Sequence, residues 1–164
     1  MTFRLFDSLP AEAIEKMRLM SSPVADADRD AFLDAGAGNC WLKQSEIAAV
    51  VQDALLHFDG ERYRLLAWTV MPNHVHVLIE PFGNHALGDA VSSWKRFSAR
   101  MANRLLGQSG SFWQDDYWDT YIRNERHLAS TIAYIENNPV KADLVKEVAD
   151  WPWCHARLRM MKAI

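Results

Sequence analysis

The stretch Met71-Pro72-Asn73-His74-Val75-His76-Val77-Leu78-Ile79-Glu80 decides how this chain is read. Tyr63 to Val70, just ahead of it, has the aromatic and aliphatic character of a strand, and Met71-Pro72-Asn73 carries turn residues. His74 to Glu80 is then the return strand of an antiparallel hairpin. Successive side chains on a strand face opposite ways, so His74, His76 and Leu78 share one face while Val75, Val77 and Ile79 form the other. Two imidazoles side by side suit one metal ion. The same spacing also fits a pair of packed or solvated histidines, and it does not choose between the two.

Composition narrows the class. At 164 residues the chain has the length of one domain, able to bury a core without staples. With 7 Trp, 7 Phe and 4 Tyr it has more aromatic groups than a minimal core needs, which leaves some for stacking. The net charge of -3 argues against a protein that coats duplex DNA by charge alone, though a local basic face is compatible with it. Cys40 and Cys154 form no Cys-x-x-Cys motif, so they are read as ordinary thiols rather than as a disulfide framework or a zinc knuckle. The sequence shows no 18-residue apolar run and no signal-peptide pattern at its start, and the expectation is a cytoplasmic protein without a membrane partner.

Outward from the hairpin, Thr2 to Phe6 reads as a short strand, followed by a helix that Ser8 caps and Pro10 opens, with Ile14, Met17 and Met20 on its apolar side. Ser22-Pro23 interrupts it, and a second helical stretch through Ala31, Phe32 and Leu33 stops at Gly36 and Gly38. Ser45 to Phe58 has helical spacing with Ser45 as cap. From Leu87 to Leu106, the positions Leu87, Val91, Trp94, Phe97, Met101 and Leu105 form an apolar stripe. Lys95, Arg96, Arg100 and Arg104 make this the most basic helix, either as a solvated face or as phosphate contacts. An aromatic and acidic loop from Ser111 to Asp119 leads to a strand expected near Thr120 to Arg123.

Asn124 is placed to cap a helix with Leu128, Ile132 and Ile135 as its buried stripe, ending near Asn138 because Pro139 follows. At 100° per residue His127, Thr131, Tyr134 and Asn138 fall within a sector about 60° wide beside that stripe. A phenol and an amide four residues apart therefore face the same way. On its own, a Tyr at such a place is usually a packing residue.

These motifs together carry a resemblance. Met71 to Leu78, then Phe112-Trp113-Gln114, Ile122-Arg123, Tyr134-Ile135-Glu136-Asn137-Asn138-Pro139-Val140-Lys141-Ala142 and Trp151-Pro152-Trp153, is similar to the single-tyrosine transposases of the IS200 type, and resembles most their REP-associated branch. The resemblance implies an α+β fold, a ferredoxin-like antiparallel sheet with packed helices as in HUH endonucleases. It implies a single domain over residues 1–164, with a helical insertion at about 11–44. Residue by residue, His74 and His76 match the metal-binding pair, Asn138 the position that completes the metal site, and Tyr134 the nucleophile.

The activity so implied is metal-dependent cleavage and rejoining of single-stranded DNA beside hairpins, through a 5′-phosphotyrosine link, with Mg²⁺ or Mn²⁺ as the ion. An inactive hairpin-binding protein of the same fold is the alternative. Trp113, Tyr117, Trp118 and Trp151 are candidate stacking platforms for unpaired bases. Lys95, Arg96, Arg100, Arg123 and Lys141 are candidate phosphate contacts. The sequence leaves monomer and homodimer both open.

Overall fold

The hairpin forms as expected. A computed structural model describes residues 1–10, 12–15 and 30–162. In it, strand β2 (Tyr63–Val70) returns through residues 71–73 into β3 (His74–Pro81), and β1 (Thr2–Arg4) pairs with the far side of β3. Among the described residues the strands lie in the order β1-β3-β2, all antiparallel, so the histidine strand is central.

The two faces of the sheet follow from its register. Phe3 pairs with Val75, Trp68 with Val77 and Val70 with Val75, and these side chains enter the main core. Thr2 pairs with His76 and Arg4 with His74, which puts those four side chains on the opposite face. A bulge between Leu65 and Ala67 inserts Leu66 into β2. Leu65 and Trp68 therefore join the main core while Leu66 and Ala67 both contact the smaller cluster around Leu78 and Ile135.

The main-core face is covered by α1 (Ser45–Leu56) and α2 (Leu87–Leu106). Ser45 is the first helical residue of α1 rather than its cap; Gln44 stands at the cap position and makes no side-chain cap bond. The buried stripe of α2 is Val91, Trp94, Ser98 and Ala102, whereas Phe97 and Leu105 are exposed. The expected stripe was rotated because Trp113 takes the space over Ser98, donating its indole N–H to the Ser98 hydroxyl at 2.9 Å. A small side chain is needed there, so hydropathy pointed to the wrong neighbours.

Residues 112–118 run antiparallel beside β1: Thr2 and Trp118 exchange both backbone hydrogen bonds, at 2.7 and 2.9 Å, and the Gln114 N–H reaches the Arg4 carbonyl. This places the extra pairing earlier than the strand expected at Thr120 to Arg123, which is irregular. Phe112 and Trp113 are buried in the main core and Tyr117 packs against it, and that packing holds the segment in place.

The other face of the sheet carries α3 (Glu125–Lys141), which lays Leu128, Ile132 and Ile135 against Ala67 and Leu78. Asn124 caps it, its side-chain oxygen accepting from the His127 N–H at 2.9 Å. Pro139 does not end α3, contrary to the sequence expectation. Asn138 and Pro139 are buried, and the Ala142 and Leu144 amides bond the Asn138 and Pro139 carbonyls, so packing and these bonds outweigh the N–H that proline lacks. Buried Glu136 then ties α4 (His155–Lys162) to α3 through His155 at 3.2 Å and Arg159 at 3.3 Å.

Residues 12–15 and 30–34 are helical, as expected, and Gly36 follows with φ 73°. Met17, Met20 and the Ser22-Pro23 break lie outside the described residues. Ser8 does not cap a helix; its hydroxyl donates to the Leu5 carbonyl at 2.9 Å. Cys40 and Cys154 are buried free thiols. Among the described residues no helix is long and apolar enough to cross a membrane.

Candidate functional site

The site lies where β3 meets α3. The side chains of His74 and His76 point to the α3 face, as the alternation of β3 requires, and both are almost wholly buried, with their Nε2 atoms 3.1 Å apart. Two donors bound to one ion at about 2.1 Å stand roughly 3.0 Å apart when they subtend a right angle. The histidine spacing therefore matches a shared ion.

Groups behind the imidazoles set their orientation. His74 Nδ1 lies 2.8 Å from Asn73 Oδ1, and the Asn73 amide nitrogen donates to the Ala37 carbonyl at 3.0 Å. That second bond fixes which end of the amide is oxygen, so His74 Nδ1 is the donor and its lone pair is at Nε2. His76 Nδ1 is held by the Thr2 hydroxyl at 2.8 Å. The loop behind Asn73 is constrained in turn. Gly38 has φ 83°, and a Cβ there would come within 2.5 Å of the Asp7 carbonyl oxygen, while Asp7 Oδ2 accepts from the Asn39 backbone and side chain.

From α3, the Tyr134 ring lies edge-on to His76, centroids 5.6 Å apart, and is 36% exposed. Asn138 follows one helical turn later on the same side of α3 and is fully buried, yet both polar atoms of its amide lack a hydrogen-bond partner. Leaving such atoms unmatched costs about 1–3 kcal/mol. It also means that the Asn138 side chain is not a helix cap. The His74 Nε2 lone pair, the neighbouring His76 Nε2 and one unmatched amide fit a divalent ion chemically, although among the described residues no three His, Cys, Asp or Glu side chains gather into a ligand set as they stand.

Sequence reading missed two carboxylates. Residues 30–34 form a helical turn whose Asp30 and Asp34 face this site. The Tyr134 hydroxyl donates to Asp30 Oδ2 at 2.5 Å, and Asp34 Oδ1 lies 3.8 Å from His74 Nε2. Asp34 Oδ2 accepts from Lys141 at 3.3 Å, and the same ammonium lies 5.4 Å from the centre of the Tyr134 ring. Burial pushes the Asp34 carboxyl up from its ordinary range, against the opposing pull of Lys141. The sequence signal was the i, i+4 spacing of Asp30 and Asp34, which by itself says only that two acids share a helix face.

A cleft of about 460 Å³ opens beside Tyr134 and His76, with Tyr117, Trp118, His127 and Thr131 on its walls. Of the candidate platforms, Tyr117 and Trp118 therefore stand at the site. Trp113 does not, and that expectation is corrected: it is 5% exposed and packs edge-on against Phe3 and Phe112. Trp151 is half-buried, with its indole N–H bound to the Val70 carbonyl, and does not line the cleft. Lys95 is also reassigned, because its ammonium donates to the carbonyls of Gln114 and Asp115 and so pins the 112–118 segment. Arg96 lines a neighbouring hollow with Tyr117, and Arg100 and Arg123 are exposed on the surface.

Sheet order, helix placement and the His-x-His strand define an α+β protein with an antiparallel ferredoxin-like sheet. The family model described as "Transposase IS200 like" matches residues 44–138, and the chain belongs to that family. It is 32% identical over 106 residues to a REP-associated tyrosine transposase of Escherichia coli (strain K12), covering 63% of this chain and 61% of that protein. It is 29% identical over 102 residues to a putative REP-associated tyrosine transposase of Haemophilus influenzae (strain ATCC 51907 / DSM 11121 / KW20 / Rd), covering 56% of this chain and 57% of that one. The chain thus spans about three-fifths of the length of these curated relatives. A solved structure of a REP-associated tyrosine transposase bound to a REP hairpin shares the fold, with a TM-score of 0.59 at 22% identity over 93% of this chain and 72% of that one.

Proposed function

We propose that this chain is a single-strand DNA transesterase, a tyrosine transposase that cleaves and rejoins DNA beside REP-like hairpins. The observation that carries the reading is the seating of Tyr134 against His76 in an open cleft, next to two Nε2 atoms 3.1 Å apart. The names of the curated relatives, and a solved neighbour of the same fold bound to a REP hairpin, support the substrate class.

His74, His76 and the Asn138 amide oxygen would hold a divalent ion, Mg²⁺ or Mn²⁺, with Asp34 adding negative charge beside His74. When bound, such an ion polarises the scissile phosphate and stabilises the departing 3′-oxygen. Tyr134 attacks phosphorus, forming a 5′-phosphotyrosine link and releasing a 3′-hydroxyl. The bond energy is kept in that link, so a 3′-hydroxyl rejoins the strand without ATP. Tyr117 and Trp118 offer aromatic faces to unpaired bases at the cleft, and Arg96 and Lys141 offer charge to phosphates on either side.

The test is incubation of the full chain with a single-stranded oligonucleotide carrying an imperfect hairpin and its flanks, with Mn²⁺, read on a denaturing gel. A protein–DNA adduct is expected, and Tyr134→Phe loses it while keeping hairpin binding. An adduct that persists in Tyr134→Phe but disappears in Tyr117→Phe or Tyr121→Phe overturns the assignment.

A further inference from the structure

We infer that Asp30 is a catalytic residue, the acceptor of the proton that Tyr134 loses on attack; this rests on the transesterase reading above. The residue lies outside the stretch matched by the family model, which begins at residue 44. Its carboxylate is nonetheless at the reacting atom: the Tyr134 hydroxyl donates to Asp30 Oδ2 at 2.5 Å, across 104 positions of sequence.

The surroundings suit the role. Asp30 is 8% exposed and lines the same cleft as His76 and Tyr134, so it stands where a phosphodiester would meet the nucleophile. One turn on, Asp34 Oδ2 accepts from Lys141 at 3.3 Å, which ties the turn to α3, the helix that carries Tyr134. Among the described residues, the other titratable or charged groups around the pair include the Met1 amino group, His76 on β3, Tyr117 and Asp119 in the segment that lines the cleft, His127 and Lys141 on α3, and Asp34 on the same turn.

The acceptor in this arrangement is the Asp30 carboxylate, already hydrogen-bonded to the phenol. It takes the proton as the bond to phosphorus forms. In the forward step the Tyr134 oxygen bonds to phosphorus, its hydrogen passes to Asp30 Oδ2, and the bond from phosphorus to the 3′-oxygen breaks. The electron pair of that bond stays on the 3′-oxygen, which takes a proton from water. On rejoining, a 3′-hydroxyl attacks and gives its proton to water, the bond to Tyr134 breaks, and Asp30 returns its proton to the phenolate. One group thus serves both directions, as reversible strand transfer requires.

The experiment is single-turnover adduct formation by the full chain on the hairpin oligonucleotide with Mn²⁺, for the wild type, Asp30→Asn and Asp30→Glu, between pH 6.5 and about 9.5. Asp30→Asn is expected to be roughly 10²-fold slower or more near neutral pH, the range for removal of a positioned base. Its deficit should shrink as pH rises, because hydroxide replaces the missing acceptor, and Asp30→Glu should recover part of the rate. Hairpin affinity and the rise in melting temperature on adding Mn²⁺ should match the wild type. Either a deficit that is constant with pH or an Asp30→Asn rate within about threefold of wild type overturns the assignment. A wild-type protein that forms no adduct at all overturns the transesterase reading itself, a result distinct from either.

Discussion

Asn73 Oδ1 lies 2.8 Å from Nδ1 of His74, its neighbour in the chain, and the same amide donates to the Ala37 carbonyl. This couples a loop that precedes α1 to the tautomer of a histidine on the central strand. Truncation in Asn73→Ala frees the ring to swap tautomers and leaves the buried His74 Nδ1 and the partly buried Ala37 carbonyl without their partner. The expected result is a fall in Mn²⁺ affinity of roughly 10- to 100-fold, with a stability loss of about 1–3 kcal/mol. Calorimetric titration of Mn²⁺ and urea unfolding measure the two effects, and an unchanged affinity would show that the His74 tautomer is set elsewhere.

Asn138 gives a contrasting expectation. Neither polar atom of its amide has a hydrogen-bond partner, so Asn138→Ala removes no protein hydrogen bond. Without metal, the melting temperature should change little or rise. With metal, the rise produced by Mn²⁺ should shrink, and the Mn²⁺ midpoint for nicking should move upward. Loss of stability in the absence of metal with an unmoved midpoint would give Asn138 a structural task instead.

Trp113 and Trp118 separate a core role from a binding role within six residues of sequence. Trp113 is buried against Phe3 and bonds Ser98, so Trp113→Ala is expected to cost about 3–5 kcal/mol of stability. Trp118 is half-buried at the cleft wall, with the Arg4 guanidinium 5.3 Å from its ring centre. Trp118→Ala should weaken hairpin binding by about 1–3 kcal/mol, the value of one stacked base, at a smaller cost in stability. Thermal melts and fluorescence anisotropy with a labelled hairpin decide both.

The particular residues explain what the sequence made legible. His74, His76 and Leu78 share a face because period-two alternation is local, and the turn at Pro72-Asn73 fixed where the strand began. Tyr134 and Asn138 share a face for the equally local reason of helical period. Local rules did not reach the rest. Ser98 and Ala102 are buried in α2 because Trp113, fifteen residues away from Ser98, fills the space above, and hydropathy chose Phe97 and Leu105 instead. Pro139 sits inside α3 because burial overrode its local preference. Asp30 meets Tyr134 only through the tertiary fold, and no spacing in the sequence encodes a contact across 104 residues.

The charge distribution sets the last expectation, the preference among nucleic acids. With a net charge of -3 the chain has little long-range attraction for a duplex, and the acids Asp30, Asp34 and Asp119 stand at or near the cleft. Affinity must then come from aromatic faces at Tyr117 and Trp118, which accept unpaired bases and not a stacked duplex, with local help from Arg96 and Lys141. A hairpin with a single-stranded flank should therefore outcompete a blunt duplex of equal length. Because few phosphates are neutralised, salt should weaken binding only moderately, and Arg96→Ala should lower the slope of log affinity against log salt by about 0.7, the single-strand value for one phosphate. Lys141 should behave differently, since it is engaged by Asp34 and lies over the Tyr134 ring. Lys141→Ala should slow adduct formation more than it weakens binding. Competition gel shifts at 50 and 200 mM salt check the preference and the slope; equal affinity for the blunt duplex, or a steep slope that survives Arg96→Ala, would place the DNA on another face of the protein.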